Sequence, residues 1–225
     1  MLRLLTTAGW VLSLLALGLA SPATSPATNP AMGAGERLQT AQISGDPDKP
    51  RRHFRIRRPA RLAPAEAEET YRQLVDELVA GYAPTGHPAA RDYRNWRRYN
   101  SAPYLSATHG NLYINNYVNE AGRAYGRFED AGTLPAGTII AKDSFIVERS
   151  GEVHPGPLFV MEKMAKGFNY VSGDWRYSQI NPDGAFFGET HGEGDERVAF
   201  CIGCHLAVEQ QDHLFFIPGP YRVAP

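Results

Sequence analysis

The sequence predicts an α+β protein, built from a mostly antiparallel β-sheet with packed helices. Three observations lead to this prediction. A helix with a regular apolar face opens the body of the chain at Pro64, several short apolar runs follow at hairpin-like spacing, and a helical segment near the C-terminus contains both cysteines. Because no helix-length segment separates the short runs, the strands are expected to pair in antiparallel fashion.

The first predicted helix begins at Pro64, whose fixed φ suits the first helical position. Acidic residues follow in its first turns, where the helix dipole favours negative charge. Apolar side chains then recur at helical spacing and form one face, namely Tyr71, Leu74, Val75, Leu78, Val79 and Tyr82. Gly81, Pro84 and Gly86 are expected to end the helix.

The strands are predicted from alternation and from their β-branched and aromatic content. Residues 112–119 alternate between two sets of side chains, which we expect on opposite faces of a sheet. The sets are Leu112, Ile114 and Val118 on one face and Tyr113 and Tyr117 on the other. Residues 138–148, 158–163 and 175–180 are the further predicted strands. Asn119 is expected to cap a short helix that runs through Tyr125 and Phe128.

The first 61 residues differ in composition from the rest of the chain. Residues 1–20 combine a basic start at Arg3 with an apolar run and small residues before the predicted cleavage point, which is typical of a secretory signal peptide; an uncleaved anchor is the alternative. Residues 21–61 are interpreted as a disordered Pro- and Ala-rich linker with an arginine-rich arm. Residues 62–225 are the predicted domain, expected in the periplasm or another exported location.

The most specific chemical signal is the spacing of the two cysteines. They stand in Cys201-Ile202-Gly203-Cys204, and His205 follows directly. Thiols at this spacing reach both vinyl groups of one porphyrin, and the adjacent histidine lies under the iron as proximal ligand. A thioredoxin-like pair belongs near a βαβ unit, zinc needs two further ligands, and a plain disulfide does not need His205. The sequence therefore predicts one covalent haem c.

The sequence leaves two alternatives for the axial position of the iron opposite His205, namely a protein ligand or no ligand. His213 is the single candidate after His205, but eight residues along one continuous helix would place it about 12 Å down the axis, on the wrong side of the haem. A sixth ligand would come from the sheet region, and the candidates are Met161, Met164, Lys142, His109, His154 and His191. An open position instead favours binding of small diatomic or nitrogenous molecules.

Charge is divided unevenly along the chain. Residues 1–61 hold nine Lys and Arg against three Asp and Glu, a net charge of +6, whereas residues 62–225 hold fourteen against twenty-one, a net charge of −7. Most of the positive charge lies in residues 51–61. This arm either contacts an anionic membrane or an acidic partner, or lies against its own acidic body. Nucleic acid is not an expected partner, and deletion of residues 21–61 is expected to leave haem incorporation and the spectrum unchanged.

Several segments, taken in order, resemble the cytochrome P-460 family, which includes the cytochromes c′-β. The similarity spans residues 93–218, and the haem motif is its most specific part. The other matching segments are 102–104, 109–110, 111–119, 134–143, 159–163, 173–175, and Asp212 with Phe215. The resemblance implies an antiparallel sheet with packed helices, often a homodimer, and a five-coordinate haem with an open distal side.

The resemblance also implies roles for particular residues. In members that oxidise hydroxylamine, a strand lysine is cross-linked to the porphyrin, and Lys142 occupies that position, with Asp143 where the family usually has Glu. In the c′-β branch there is no cross-link, and an apolar, aromatic distal face favours nitric oxide. A strand lysine is more commonly a solvated residue, so both branches stay open. Glu162 is the nearest candidate for the distal carboxylate, and Phe145 is a further distal candidate.

Together these patterns predict a periplasmic c-type monohaem cytochrome with an open distal site. It would bind or oxidise small nitrogen species, such as hydroxylamine or nitric oxide, and pass electrons to a redox partner protein. Cys201, Cys204 and His205 would hold the haem, and Lys142 and Glu162 are the candidate catalytic residues. The alternative is a six-coordinate electron-transfer or structural haem subunit that docks on a membrane complex through residues 51–61.

Overall fold

The computed structural model describes residues 48–223, so the predicted signal peptide and most of the predicted linker lie outside the described residues. The α-helices of this part are α1 (Pro64–Tyr82), α2 (Pro88–Asp92) and α3 (Asp195–His205). The strands are β1 (Arg97–Arg98), β2 (Tyr104–Ser106), β3 (Leu112–Val118), β4 (Ile139–Val147), β5 (Val153–Pro155), β6 (Leu158–Lys163), β7 (Trp175–Ile180) and β8 (Phe186–Glu189). The longer 3₁₀ segments are Glu120–Asp130 and Leu206–Gln211. No helix within residues 48–223 is long and apolar enough to cross a membrane.

All eight strands join one antiparallel sheet, which confirms the predicted α+β class. The main order is β1-β3-β4-β6-β7-β8, with β2 also pairing with β3 and β5 with β4. In this register Lys142 of β4 lies opposite Asn116 of β3 and opposite Phe159 of β6. The lysine therefore sits in the middle of the sheet, where neighbouring strands shield it on both sides.

The two faces of the sheet carry different layers. One face packs against α1 and α2 and includes Phe145. The other face includes Ile140 and Met161 and packs against Cys201 and Ile202 of α3. β3 and β4 are consequently buried along nearly their whole length. The predicted alternation in β3 is confirmed, since its two sets of side chains fall into these two separate clusters.

α1 forms where the sequence predicts it. The Glu66 carboxylate accepts a hydrogen bond of 2.8 Å from the Ala63 N–H just before the helix and so satisfies one free amide of its first turn. The buried residues recur at helical spacing and pack onto the sheet, and they are Ala67, Tyr71, Leu74, Leu78 and Tyr82. After the helix, Gly86 takes a φ of +68°, which favours glycine.

The segment 48–61 packs against the body. The Ile56 N–H donates to the Gly110 carbonyl at 2.9 Å, and the Asn111 amide donates to the Ile56 carbonyl at 2.8 Å. Phe54 and Ile56 contact the core, whereas the arginines of the segment are exposed. The predicted boundary between arm and domain, at residue 62, therefore does not coincide with a break in packing. The expectation that residues 21–61 can be removed without effect on the body conflicts with these contacts.

Candidate haem site

A cavity of about 310 Å³ lies between the sheet and α3. This volume falls at the lower end of the usual range for small-molecule and cofactor pockets. The lining residues come from both sides of the gap and from the loop between β2 and β3, and they are His53, Thr108, His109, Ile140, Lys142, Phe159, Val160, Met161, Tyr177, Ser178, Cys201, Gly203, Cys204, His205, Ala207 and Phe215. The fold thus brings four predicted site residues, Lys142, Cys201, Cys204 and His205, to one cavity.

The two cysteines lie on α3, three residues apart and therefore on neighbouring positions of one helix face. Both are free thiols that line the cavity; Cys201 is half-buried and Cys204 is exposed. Burial raises the pKa of the Cys201 thiol to about 12, so this sulfur is protonated at neutral pH. This placement suits attachment of both sulfurs to one planar group held in the cavity.

His205 ends α3, and a backbone carbonyl holds its imidazole. Its Nδ1 lies 2.6 Å from the His213 carbonyl oxygen, so Nδ1 carries the proton and Nε2 keeps its lone pair. Burial, followed by the nearby Lys142 charge, lowers the pKa of His205 to about 3 and keeps the imidazole neutral. A neutral imidazole with one nitrogen fixed by a carbonyl is the usual arrangement of a metal-binding histidine. These residues fit a haem group.

The chain after His205 differs from the predicted continuous helix. α3 ends at His205, a 3₁₀ segment follows, and Asp212 and His213 then take positive φ values of 55° and 59°. The chain therefore folds back, and the carbonyl of His213 reaches the His205 ring. The side chain of His213 is not part of the cavity lining, and the continuous helix on which its exclusion as a ligand was predicted is not the path that the chain takes.

Asp212 fixes this turn through three contacts. Its carboxylate pairs with Lys163 and accepts a hydrogen bond from the Leu134 N–H at 2.9 Å, and its carbonyl accepts one from the Trp175 indole at 2.8 Å. Since His213 follows directly, these contacts position the carbonyl that orients His205. From the sequence, Asp212 was predicted to matter only as part of the family resemblance, without this role.

Lys142 is buried in the cavity wall, with 4% of its surface exposed. Within residues 48–223 no carboxylate forms an ion pair with it. Burial lowers its pKa to about 8, so the free amine is far more accessible near neutral pH than in an ordinary lysine, although the ammonium form still predominates at pH 7. A free amine is able to bind a metal or to act as a nucleophile, which an ordinary surface lysine does not do.

The two other predicted distal residues lie elsewhere. Glu162 is not among the cavity-lining residues, and its carboxylate pairs with Arg176 of β7. Phe145 stacks on Tyr113, with ring centroids 5.3 Å apart, in the layer under α1. Because side chains alternate along a strand, Phe145 points to the face opposite Lys142. The interpretation of Phe145 as a distal residue is therefore wrong.

Three of the six candidate sixth ligands line the cavity, and they are Lys142, His109 and Met161. Met164, His154 and His191 do not. The Nδ1 of His109 lies 3.0 Å from the Ser106 hydroxyl, and its ring is buried. His53 is a further imidazole in the lining, and it was not predicted from the sequence. It stands among the arginines of the arm, and that segment was interpreted only by its charge.

A comparison with protein families supports the site. The family model for Cytochrome P460 matches residues 90–216, which is more than half of the chain. The match includes Lys142, both cysteines and His205, whereas α1 and the segment 48–61 precede it. No curated protein matches the chain. The chain belongs to the cytochrome P460 family and is therefore a haem cytochrome.

Proposed function

We propose that this protein is an exported c-type cytochrome with one covalent haem, whose iron binds or oxidises small nitrogen species such as hydroxylamine or nitric oxide and passes electrons to a partner protein. The observation that carries the proposal is the shared cavity of Cys201, Cys204, His205 and Lys142. The cysteines would form the two thioether links, and His205 would hold the iron from the proximal side. The bound haem supplies a metal centre that binds small molecules and exchanges single electrons.

The composition of the cavity wall supports small, uncharged ligands. Its apolar part includes Ile140, Phe159 and Phe215, and no carboxylate is among the described residues that line it. Such a wall excludes water and offers little stabilisation to a cationic ligand. Hydroxylamine and nitric oxide are small and uncharged at neutral pH, so both suit this environment. Lys142 is the side chain best placed to accept or donate a proton beside such a ligand.

A second candidate function has an observation in its favour. Met161 and His109 line the same cavity, and either would make a six-coordinate haem that serves electron transfer or structure. The His109 Nδ1 is engaged with the Ser106 hydroxyl, which leaves its Nε2 as the ligating atom. A thioether or imidazole bound on the distal side would have to dissociate before any external ligand could bind.

Absorption spectra and ligand binding test the proposal against this alternative. The proposal expects high-spin, five-coordinate spectra and rapid binding of carbon monoxide or nitric oxide by the reduced protein. Six-coordinate, low-spin spectra, with a binding rate that saturates at high gas concentration, would support the second candidate. Hydroxylamine turnover with an artificial electron acceptor, lost in Lys142→Leu and retained in Lys166→Leu, would assign the protein to the oxidising branch.

The exposed arginines offer a docking face for an anionic membrane or an acidic redox partner. Arg51, Arg52 and Arg55 flank residues that contact the body, yet their own side chains are exposed. Part of the segment also contacts the body through charge, since Lys49 pairs with Glu196 of α3 at 3.2 Å. Replacement of the exposed arginines by glutamine should weaken partner or membrane binding and its salt dependence, while the haem spectrum stays unchanged.

A further inference from the structure

His53 lies 37 residues before the region that the family model matches, yet it lines the haem cavity. Its ring makes edge-on contacts with Phe159 and Phe200, at centroid distances of 4.8 and 4.6 Å. It also stacks on His109 at 5.1 Å. Three rings therefore enclose the imidazole and restrict its orientation in the cavity wall.

We propose that the N-terminal segment completes the haem site, and that the His53 imidazole donates a hydrogen bond to a small molecule bound in the cavity. This inference rests on the proposed function, because it needs an iron that accepts an external ligand. It assigns a ligand-contacting role to a residue outside the family-matched region.

His53 has unused hydrogen-bonding capacity. Its Nδ1 is buried and has no hydrogen-bond partner in the described part of the chain. Buried polar atoms are nearly always paired, so an orphaned nitrogen on a ring that lines the cavity supports a role for this ring in binding a ligand. His109 differs in this respect, because its Nδ1 already meets the Ser106 hydroxyl. Burial lowers the pKa of His53 to about 4, which leaves a neutral ring with one N–H at neutral pH.

His53 and His205 line the same cavity but contact different aromatic rings. The ring contacts of His205 are with Tyr177 and Phe215, at 5.0 and 5.3 Å. Those of His53 are with His109, Phe159 and Phe200, so the two imidazoles share no ring neighbour. On this proposal His205 holds the planar group, and His53 contacts what binds beside it.

The segment that carries His53 is attached closely to the loop between β2 and β3. Beyond the two hydrogen bonds of Ile56, the backbone comes so close to Gly110 that an added Cβ there would lie 2.0 Å from the Phe54 carbonyl oxygen. Gly110 follows His109 in the loop between β2 and β3, and Thr108 and His109 of this loop also line the cavity. The segment and the loop thus form one structural unit, and this unit holds His53 at the cavity.

Carbon monoxide bound to the ferrous holoprotein is the probe for this inference. A donor near bound carbon monoxide lowers its C–O stretching frequency and slows its release. His53→Leu should raise the C–O stretch and speed dissociation roughly tenfold, the equivalent of one strong hydrogen bond. His53→Gln keeps an N–H donor and should recover part of both effects. His191→Asn is the matched control, because His191 is exposed at a positive φ of 61° that asparagine tolerates.

Each outcome of this experiment decides the inference. Unchanged frequency and dissociation in His53→Leu, with normal carbon monoxide binding, would overturn it and leave the proposed function standing. A low-spin wild type that becomes high-spin in His53→Leu would make His53 an iron ligand and overturn the donor role. A wild type that binds no carbon monoxide, with His53→Leu equally inert, would refute the proposed function and this inference with it.

Discussion

Lys142 and Asp143 are adjacent in the chain, but their side chains lie on opposite faces of the central sheet. Lys142 lines the haem cavity, whereas Asp143 is fully buried beneath α1. There the Asp143 carboxylate accepts hydrogen bonds from the Tyr71 hydroxyl at 2.6 Å and the Asn115 amide at 2.9 Å. The acidic residue that follows the lysine therefore contributes to the site by anchoring β4 to the helix layer, and it does not touch the cavity.

This anchoring predicts unequal effects for two tyrosines of α1. Tyr71→Phe removes the hydroxyl that donates to Asp143, together with its contacts to the Tyr117 hydroxyl and the Arg94 guanidinium, and should lower the free energy of unfolding by about 2 kcal/mol. Tyr82→Phe removes a bond to the Gly156 carbonyl and should cost about 1 kcal/mol. Urea unfolding of the two holoproteins measures both values. Equal losses would contradict the anchoring role of the Asp143 contact.

A pH dependence follows from the same carboxyl. Burial raises the pKa of Asp143 above its ordinary value of 3.8. The folded protein then keeps this proton to a higher pH than the unfolded chain, so this group's contribution to stability is full below pH 3.8 and is lost as pH rises through the raised pKa. Asp143→Asn has no titrating carboxyl and should lack that loss. Unfolding free energies from pH 3.5 to pH 7 test this, and parallel curves for both proteins would contradict it.

The fold was largely predictable because its long elements carry regular patterns. α1, β3, β4, β6 and β7 each show either helical spacing or strand composition, and their observed bounds differ little from the predicted ones. β1, β2, β5 and β8 were missed, since two to four residues are too few for a period to emerge. The end of α3 at His205 was also missed. Beyond it the chain kinks at Val208 and then reverses at Asp212 and His213, whose positive φ values are unusual for residues other than glycine.

A glycine substitution tests the attachment of the N-terminal segment. Gly110→Ala combines a φ of +73° with a clash against the Phe54 carbonyl, so we expect residues 48–61 to detach. Brief trypsin treatment should then cleave at the arginines of this segment much faster than in the wild type. Gly86→Ala is the matched control, because its φ is +68° and an added Cβ meets no atom within 4 Å. Equal cleavage of the two variants would show that backbone strain alone, and not the clash, acts on the segment.

Covalent attachment of the haem has a direct test. Denatured wild-type protein should retain haem-dependent peroxidase staining on a gel and should keep its haem in acid acetone. Cys201→Ala and Cys204→Ala should each leave at most one thioether, and the double variant should release its haem. Gly219→Ala is the control, because Gly219 does not line the cavity and its added Cβ meets nothing within 4 Å. Release of haem from the wild type would overturn the c-type assignment.

Only the part of the haem site that depends on local sequence spacing was predictable. Cys201, Cys204 and His205 are neighbours in the chain, so their shared chemistry is visible in the sequence alone. The contacts that orient His205 join residues far apart in sequence, such as Lys163 and Asp212. His53 lies further still from the motif, and only the pairing of its segment with the β2–β3 loop brings it to the cavity. Long-range contacts of this kind leave no periodic signal.

Lys142 is predicted to carry no covalent bond to the porphyrin. A buried lysine with a pKa of about 8 exchanges between its ammonium and free-amine forms near neutral pH and needs no covalent bond to remain in the cavity wall. Trypsin should then cleave after Lys142 and release residues 128–142, separate from the haem peptide 198–222. The spectrum of the holoprotein should also titrate with a midpoint near pH 8, and Lys142→Leu should abolish this transition while Lys166→Leu retains it. A haem peptide that carries residues 128–149, uncleaved at Lys142, would instead show the cross-link and favour hydroxylamine oxidation.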